Sequence, residues 1–153
     1  MMPLMKCINV THRCSNQYRS ERLAESELNG YQSTYILYVC NNPGISQDQL
    51  ARIIYINKSN VTRQLTLLEE LGYVERRTGL NDKRVIEVFP TQKALDILPQ
   101  VRKVLQEWNE YITEDLTDDE KDVLNTLLER VAEKAMHYTE NISQIAGREP
   151  KPL

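Results

Sequence analysis

The stretch KSNVTRQLTLLEELGYVERRTGLNDKRVIEVFP, residues 58–90, decides the fold. In its first half Val61, Leu65, Leu68 and Leu71 return every three or four residues, with Leu67 adjacent, which is the period of a helix with one buried face. Gly72 follows them as the residue that closes a helix in the left-handed conformation. The second half changes period. Tyr73–Arg76 and Val85–Phe89 are short runs rich in β-branched and aromatic residues, which favour a pleated surface. Between them Thr78-Gly79-Leu80-Asn81-Asp82 supplies turn residues, so the pair predicts a β-hairpin with a polar, basic tip.

Upstream, Ser46 and Gln49 have the Ser-x-x-Gln spacing of a capping box, opening a helix that carries Leu50, Ile53 and Ile54 on one face. A short break at Tyr55-Ile56-Asn57 separates it from the helix beginning at Lys58. Two short helices across a tight turn predict a helix-turn-helix, and the hairpin after them makes the arrangement a winged helix. Further upstream, Tyr31, Tyr35 and Tyr38 fall at i, i+4 and i+7 among Ile36, Leu37 and Val39, which predicts a buried helix ended by Asn41-Asn42-Pro43-Gly44. Asn29-Gly30 reads as a turn, and residues 8–27 as a polar helix with a thin apolar stripe.

Downstream, Thr91 caps a helix carrying Leu95, Leu98, Val101, Leu105, Trp108 and Ile112, with a kink expected at Pro99. Thr117 and Glu120 form a second capping box, with Asp118 and Asp119 favouring the positive helix start. The helix they open repeats Val123, Leu124, Leu127, Leu128, Val131, Ala135, Met136 and Ile142, a wide apolar stripe that has to be buried against something. The expected class is mainly α with a small β-hairpin wing. The expected division is 1–30, 31–90, 91–146 and a frayed tail, 147–153. No internal repeat interrupts it.

A chain of 153 residues, 41% hydrophobic and 27% charged, fits one domain with appended helices rather than a disordered or fibrous protein. No apolar run reaches the ~18 residues of a membrane span, and the N-terminus lacks the apolar core and cleavage site of an exported protein. Three cysteines without CxxC spacing point to reduced thiols, and the expected location is the cytoplasm. The net charge of −3 speaks against nucleic acid until it is divided. Residues 1–45 carry +1, residues 46–93 carry +2, residues 94–140 carry −7 and the tail +1. Within residues 76–84, Arg76, Arg77, Lys83 and Arg84 face only Asp82. The acidity lies away from this basic spot, so the whole-chain charge does not exclude DNA.

Ser59, Asn60, Thr62, Arg63 and Gln64 gather at the start of the helix after the turn. Arg suits guanine, Asn and Gln suit adenine, and Ser or Thr suit a base edge or a phosphate. An ordinary solvated face capped by Asn or Ser competes with that reading; the basic hairpin downstream tips the balance towards DNA. An Asp two residues before an Arg, as in Asp82-Lys83-Arg84, can hold the guanidinium outward, into a narrow minor groove. A surface ion pair without function has the same spacing.

Ser59-x-Val61-Thr62-Arg63, Leu68-Glu69-x-Leu71-Gly72-Tyr73-Val74-x-Arg76 and Asp82-Lys83-Arg84 together resemble the MarR family of bacterial winged-helix transcription regulators. Pro90 and Ala94 stand where the family has Leu and Gly after the wing, while Thr91 is kept. The resemblance covers residues 31–93 and implies an obligate homodimer on a pseudo-palindromic operator, joined through the first and last two helices. It implies that Ser59, Asn60, Thr62, Arg63 and Gln64 read the major groove. It also implies that Arg84, oriented by Asp82, enters the minor groove, and that Lys58, Arg76, Arg77 and Lys83 hold phosphates. Repression released by a ligand or oxidant is the implied mode.

Many relatives of this kind bind phenolic or aromatic acids, which would place Tyr31, Tyr35 and Tyr38 around a ligand and Arg13 or Arg19 on its carboxylate; aromatic core packing is the competing reading. One branch senses peroxide through a cysteine, for which Cys14 is the candidate, against an unreactive thiol. His12, Cys14 and His137 do not make a metal site, no cofactor is expected, and no Gly-rich phosphate loop or nucleophile motif supports an enzyme. A winged helix serving protein–protein assembly, without an operator, is the alternative from another class.

Overall fold

The computed structural model describes residues 1–146, with side-chain burial through residue 140; Ile142 of the expected stripe and the tail 147–153 lie outside the described side chains. Contacts divide the chain into a unit of residues 1–109 and a second from residue 110 onward.

The first unit opens with α1, Leu4–Arg22, four residues earlier than the apolar pattern indicated and ending before residue 27. A short 3-10 turn, Ala24–Ser26, leads to α2, Gly30–Asn41. Asn29-Gly30 starts this helix rather than making a free turn. The Asn29 side chain accepts from the Gln32 amide at 2.8 Å while Gln32 Oε1 accepts from the Asn29 amide at 3.0 Å, a reciprocal cap formed by Asn and Gln. Gly30 is required by close approach: its amide donates to Ser20 Oγ at 2.8 Å, and a Cβ there would stand 2.6 Å from the Asn16 carbonyl oxygen of α1.

A two-residue strand, β1 (Ile45–Ser46), precedes α3, Gln47–Ile54. Ser46 accepts from the Gln49 amide at 3.0 Å, and Gln49 Oε1 accepts from the Ser46 amide at 3.1 Å, as the capping-box spacing predicts. Tyr55 turns the chain with a φ of 57°, and Asn57 caps α4, Lys58–Glu70, by accepting from the Asn60 amide at 2.8 Å. Gly72 follows α4 with a φ of 79°. The hairpin strands are β2, Val74–Thr78, and β3, Ile86–Pro90, paired antiparallel from Val74 opposite Pro90 to Thr78 opposite Ile86. Each starts one residue later than expected, and they end two residues and one residue later, respectively. β1 adds a third strand on the other side of β3, with Ile45 opposite Val88, giving the order β1-β3-β2.

The core lies under α4. Val61, Leu65 and Leu68 are fully buried with Ile36 and Val39 of α2, Leu50 of α3 and Val88 of β3. Removing each such side chain from water contributes about 1.5–3 kcal/mol. Helix α5, Gln92–Ile112, joins this core through Ala94, Val101 and Val104, and the Trp108 ring sits 5.3 Å from that of Tyr18. The compact unit therefore reaches Asn109. Pro90 ends β3 in register, and Thr91 secures the junction: its hydroxyl donates to the Gly72 carbonyl at 2.7 Å and accepts from the Ala94 amide at 3.4 Å. Pro99 lies within α5, which continues through it.

The second unit is dominated by α6, Asp118–Ala146, capped as expected: Thr117 Oγ1 accepts from the Glu120 amide at 3.3 Å and Glu120 Oε2 accepts from the Thr117 amide at 2.9 Å. Its Val123, Leu124, Leu127, Leu128 and Val131 are all exposed.

Candidate nucleic-acid interface

Burying Val61, Leu65 and Leu68 turns the opposite side of α4 outward, which leaves Lys58, Ser59, Thr62 and Arg63 exposed and Asn60 and Gln64 half-buried. The outward groups are partly organised among themselves. Ser59 Oγ donates to Asn57 Oδ1 at 2.8 Å, Thr62 Oγ1 to the Lys58 carbonyl at 3.0 Å, and Arg63 Nη2 reaches Asn60 Oδ1 at 3.4 Å. Lys58 pairs with Asp48 at 3.2 Å, both exposed, a contact that costs little to exchange for a phosphate. Gln64 faces partly inward and its Oε1 is buried without a hydrogen-bond partner.

The wing stands beside this helix. A cleft lined by Ser46, Gln47, Asp48, Lys58, Thr62, Arg84, Val85 and Ile86 joins the start of α3, the start of α4 and the wing. Two of the cationic candidates, Lys58 and Arg84, therefore share one surface with Thr62. Gln47 bridges two of these elements, its Nε2 donating to Thr62 Oγ1 at 3.3 Å. The sequence reading passed over Gln47, because at the start of a helix it resembles any solvated polar residue.

At the wing tip the Asp82 carboxylate accepts from the Arg84 backbone amide at 2.9 Å. That corrects the expectation that it holds the guanidinium. Asp82 shapes the turn, as Asx side chains do two residues ahead of an amide, and so aims the Arg84 backbone while leaving the side chain exposed. Lys83 is exposed beside it. Two other cations of the basic spot are engaged within the wing. Arg77 pairs with Glu75 at 2.9 Å and stacks 4.4 Å above the Phe89 ring. Arg76 binds Glu69 at 2.7 Å and is the less exposed partner, with 20% of its side chain open to solvent. The Arg76 side-chain and backbone bonds hold the Glu69 carboxyl below the usual carboxylate range.

The residues expected around an effector differ in their surroundings. Arg13 is exposed on α1, Tyr31 is exposed at the start of α2, and Tyr38 packs partly on the core. Tyr35 is a core residue, 1% exposed, with a hydroxyl that finds no partner; burial pushes its pKa up, against a weaker opposing influence of Arg63. It therefore does not line an open pocket. Arg19 is buried, its guanidinium donating to the Ser15 carbonyl at 3.3 Å, Ser33 Oγ at 3.4 Å and Thr34 Oγ1 at 3.1 Å. Burial lowers its pKa, Tyr31 opposing, and its bonded partners are neutral. Cys14 and Cys7 are exposed on α1, while Cys40 is half-buried with its thiol pKa raised by burial. Among the described residues no three His, Cys, Asp or Glu side chains are grouped to hold a metal ion, and no helix is long and apolar enough to cross a membrane.

A helix-turn-helix with an outward polar face and a basic hairpin beside it is the geometry the sequence motifs implied. A family model described as MarR family matches residues 26–85. The chain is 25% identical over 131 residues to the uncharacterized HTH-type transcriptional regulator YybA of Bacillus subtilis (strain 168), covering 86% of this chain and 87% of that protein. The crystal structure of MarR superposes with a TM-score of 0.81 at 27% identity, over 92% of this chain and 95% of that one. The chain is similar to MarR-family proteins, most specifically across its winged helix. The same fold is seen in a MarR-family regulator from Listeria monocytogenes complexed with a 26mer DNA, with a TM-score of 0.85 at 22% identity over the whole of both chains. The Bacillus subtilis and Listeria monocytogenes proteins are transcriptional regulators by name.

Proposed function

We propose that this protein is a MarR-family transcription regulator, a cytoplasmic homodimer that represses by occupying a pseudo-palindromic operator in double-stranded DNA, and that a small effector releases it. The observation that carries this reading is the shared surface of Lys58, Thr62 and Arg84, which sets the start of α4 beside the wing, as joint major- and minor-groove contact requires. In it Ser59, Asn60, Thr62, Arg63 and Gln64 read base edges in the major groove. Arg84 enters the minor groove, with Asp82 shaping its turn, while Lys58, Lys83 and Arg77 meet phosphates. Dimerisation is supported by the exposed Val123, Leu124, Leu127, Leu128 and Val131, a stripe that an isolated chain leaves in water. Residues 1–30 and 91–146 serve it, flanking a DNA-binding part at 31–90.

For the effector, the buried Arg19 with neutral partners favours a small aromatic or phenolic acid whose carboxylate supplies the missing charge, with Tyr31 at its edge. The experiment is selection of bound DNA from a random pool, followed by a release screen on the selected sequence. The reading expects an inverted repeat and release by an aromatic acid that Arg19→Lys weakens. Recovery of no common sequence contradicts it and favours an assembly module. Release by peroxide that Cys14→Ser abolishes moves the trigger to that thiol.

A further inference from the structure

Glu69 and Arg76 meet where α4 ends and the wing begins. The Arg76 amide donates to Glu69 Oε1 at 3.0 Å, Arg76 Nε to Oε2 at 3.1 Å and Nη2 to Oε2 at 2.7 Å. Three donors of one residue converge on one carboxylate, the strong, geometrically specific form of ion pair. Glu69 lies in the last turn of α4, and Arg76 is the middle residue of β2, opposite Val88. Only Leu71, Gly72 and Tyr73 separate the two elements, and Gly72 turns the chain at positive φ. The pair thus closes a short bend on its open side.

The lever beyond it is long. β2 runs on to Thr78, and from Arg76 to the turn at Asn81 is five residues, a reach of at most about 16 Å. A rotation of about 10° at the base of the wing moves the tip by roughly 3 Å, close to the ~3.4 Å between successive base pairs. We infer that Glu69 and Arg76 clamp the wing to α4, so that the major-groove and minor-groove contacts are read in one fixed register. Arg76 is then a positioning residue and not a phosphate contact. This rests on the reading that α4 and the wing both engage DNA.

The two roles predict opposite signs for Glu69. An acid beside DNA repels phosphate, so if Arg76 were a phosphate contact, neutralising Glu69 would free it and tighten binding. A clamp predicts the reverse. The test is equilibrium binding of full-length Glu69→Gln, Arg76→Ala, both together, and the exchanged pair Glu69→Arg with Arg76→Glu. Each is measured across salt concentrations on the DNA selected by the wild type, and on the same DNA with its wing-contacted flank displaced by one base pair. The clamp predicts that each single change weakens binding roughly tenfold, that the double change is no worse than either, and that the exchanged pair recovers much of the loss. It predicts an unchanged salt slope and a smaller penalty for the displaced flank. Thermal unfolding identifies any variant that fails to fold, and Glu69→Asp, which keeps the charge but shortens the reach, then takes its place with the same expected sign. Glu69→Gln binding as tightly as wild type or tighter, with Arg76→Ala lowering the salt slope by about one, overturns the clamp alone. Wild-type protein that selects no sequence overturns the underlying reading together with the clamp.

Discussion

At the scale of single residues, two positions carry more than their exposure indicates. Gly30 has no room for a methyl group, because Asn16 backbone and side-chain oxygens already lie 2.6 Å from where its Cβ would stand. Gly30→Ala has to push α1 off α2, and destabilisation of about 2 kcal/mol or more is expected in urea unfolding; a loss under ~0.5 kcal/mol contradicts the close approach. Glu69 carries a pH dependence. Its native pKa is depressed, chiefly by the Arg76 side chain, below the ordinary 4.5. The pair therefore contributes fully above pH 4.5 and is lost as pH falls through the lower native value. With 39% of the Glu69 side chain exposed, solvent screening limits the contribution to about 0.5–1 kcal/mol. The stability gap between wild type and Arg76→Ala closes on acidification; a gap constant with pH contradicts the assignment. Asp82 shows what spacing hides. An Asp two residues before an Arg fits a guanidinium contact and a backbone turn equally well, and the turn is what formed.

At the scale of elements, the periodic stretches were legible and the short or reciprocal features were not. The helices at 47–54 and 58–70 and the hairpin follow from apolar spacing and turn residues, since one buried face fixes each of them. The strand β1 was not legible: two residues carry no period, and Ser46 had already been read as a cap. The start of α2 was misread because Asn-Gly is a strong turn signal, while the Gln32 that completes the cap sits three residues on. The basic spot was read as Arg84 in the minor groove with Arg76, Arg77 and Lys83 alike on phosphates. Only tertiary structure separates Arg84 and Lys83 at the tip from Arg76, which folds back onto Glu69, and Arg77, which stacks on Phe89. Capping makes a quantitative prediction for α4. Asn57→Ala removes the acceptor for the Asn60 amide, and a loss of about 1 kcal/mol is expected, with DNA affinity falling too because the frayed turn carries Ser59 and Asn60. Unaltered stability contradicts the role of the cap.

At the scale of the whole molecule, the charge division and the apolar stripe point the same way. The segment bearing α4 and the wing is +2 and residues 94–140 are −7, so the chain's net charge averages two segments of opposite sign. Val123, Leu127 and Val131 recur along one side of α6 in contact with solvent, an arrangement that a second copy relieves. Leu127→Glu places a charge in that stripe, and sedimentation equilibrium is expected to show monomers where the wild type shows dimers; dimers of undiminished affinity contradict the assignment of α6. Arg19 is a buried charge inside the first unit, bonded to one carbonyl and two hydroxyls, which the sequence flagged only through the family's ligands. The central claim is that the α4 face and the wing tip contact DNA together. It is tested most directly by titrating salt against the binding of wild type and Arg84→Ala to the selected DNA. The account predicts a log–log slope steeper than about −4 for the wild type, and for Arg84→Ala weaker binding with a shallower slope at unchanged dimer content. Equal affinity and slope for the two proteins, or binding indifferent to salt, contradicts it.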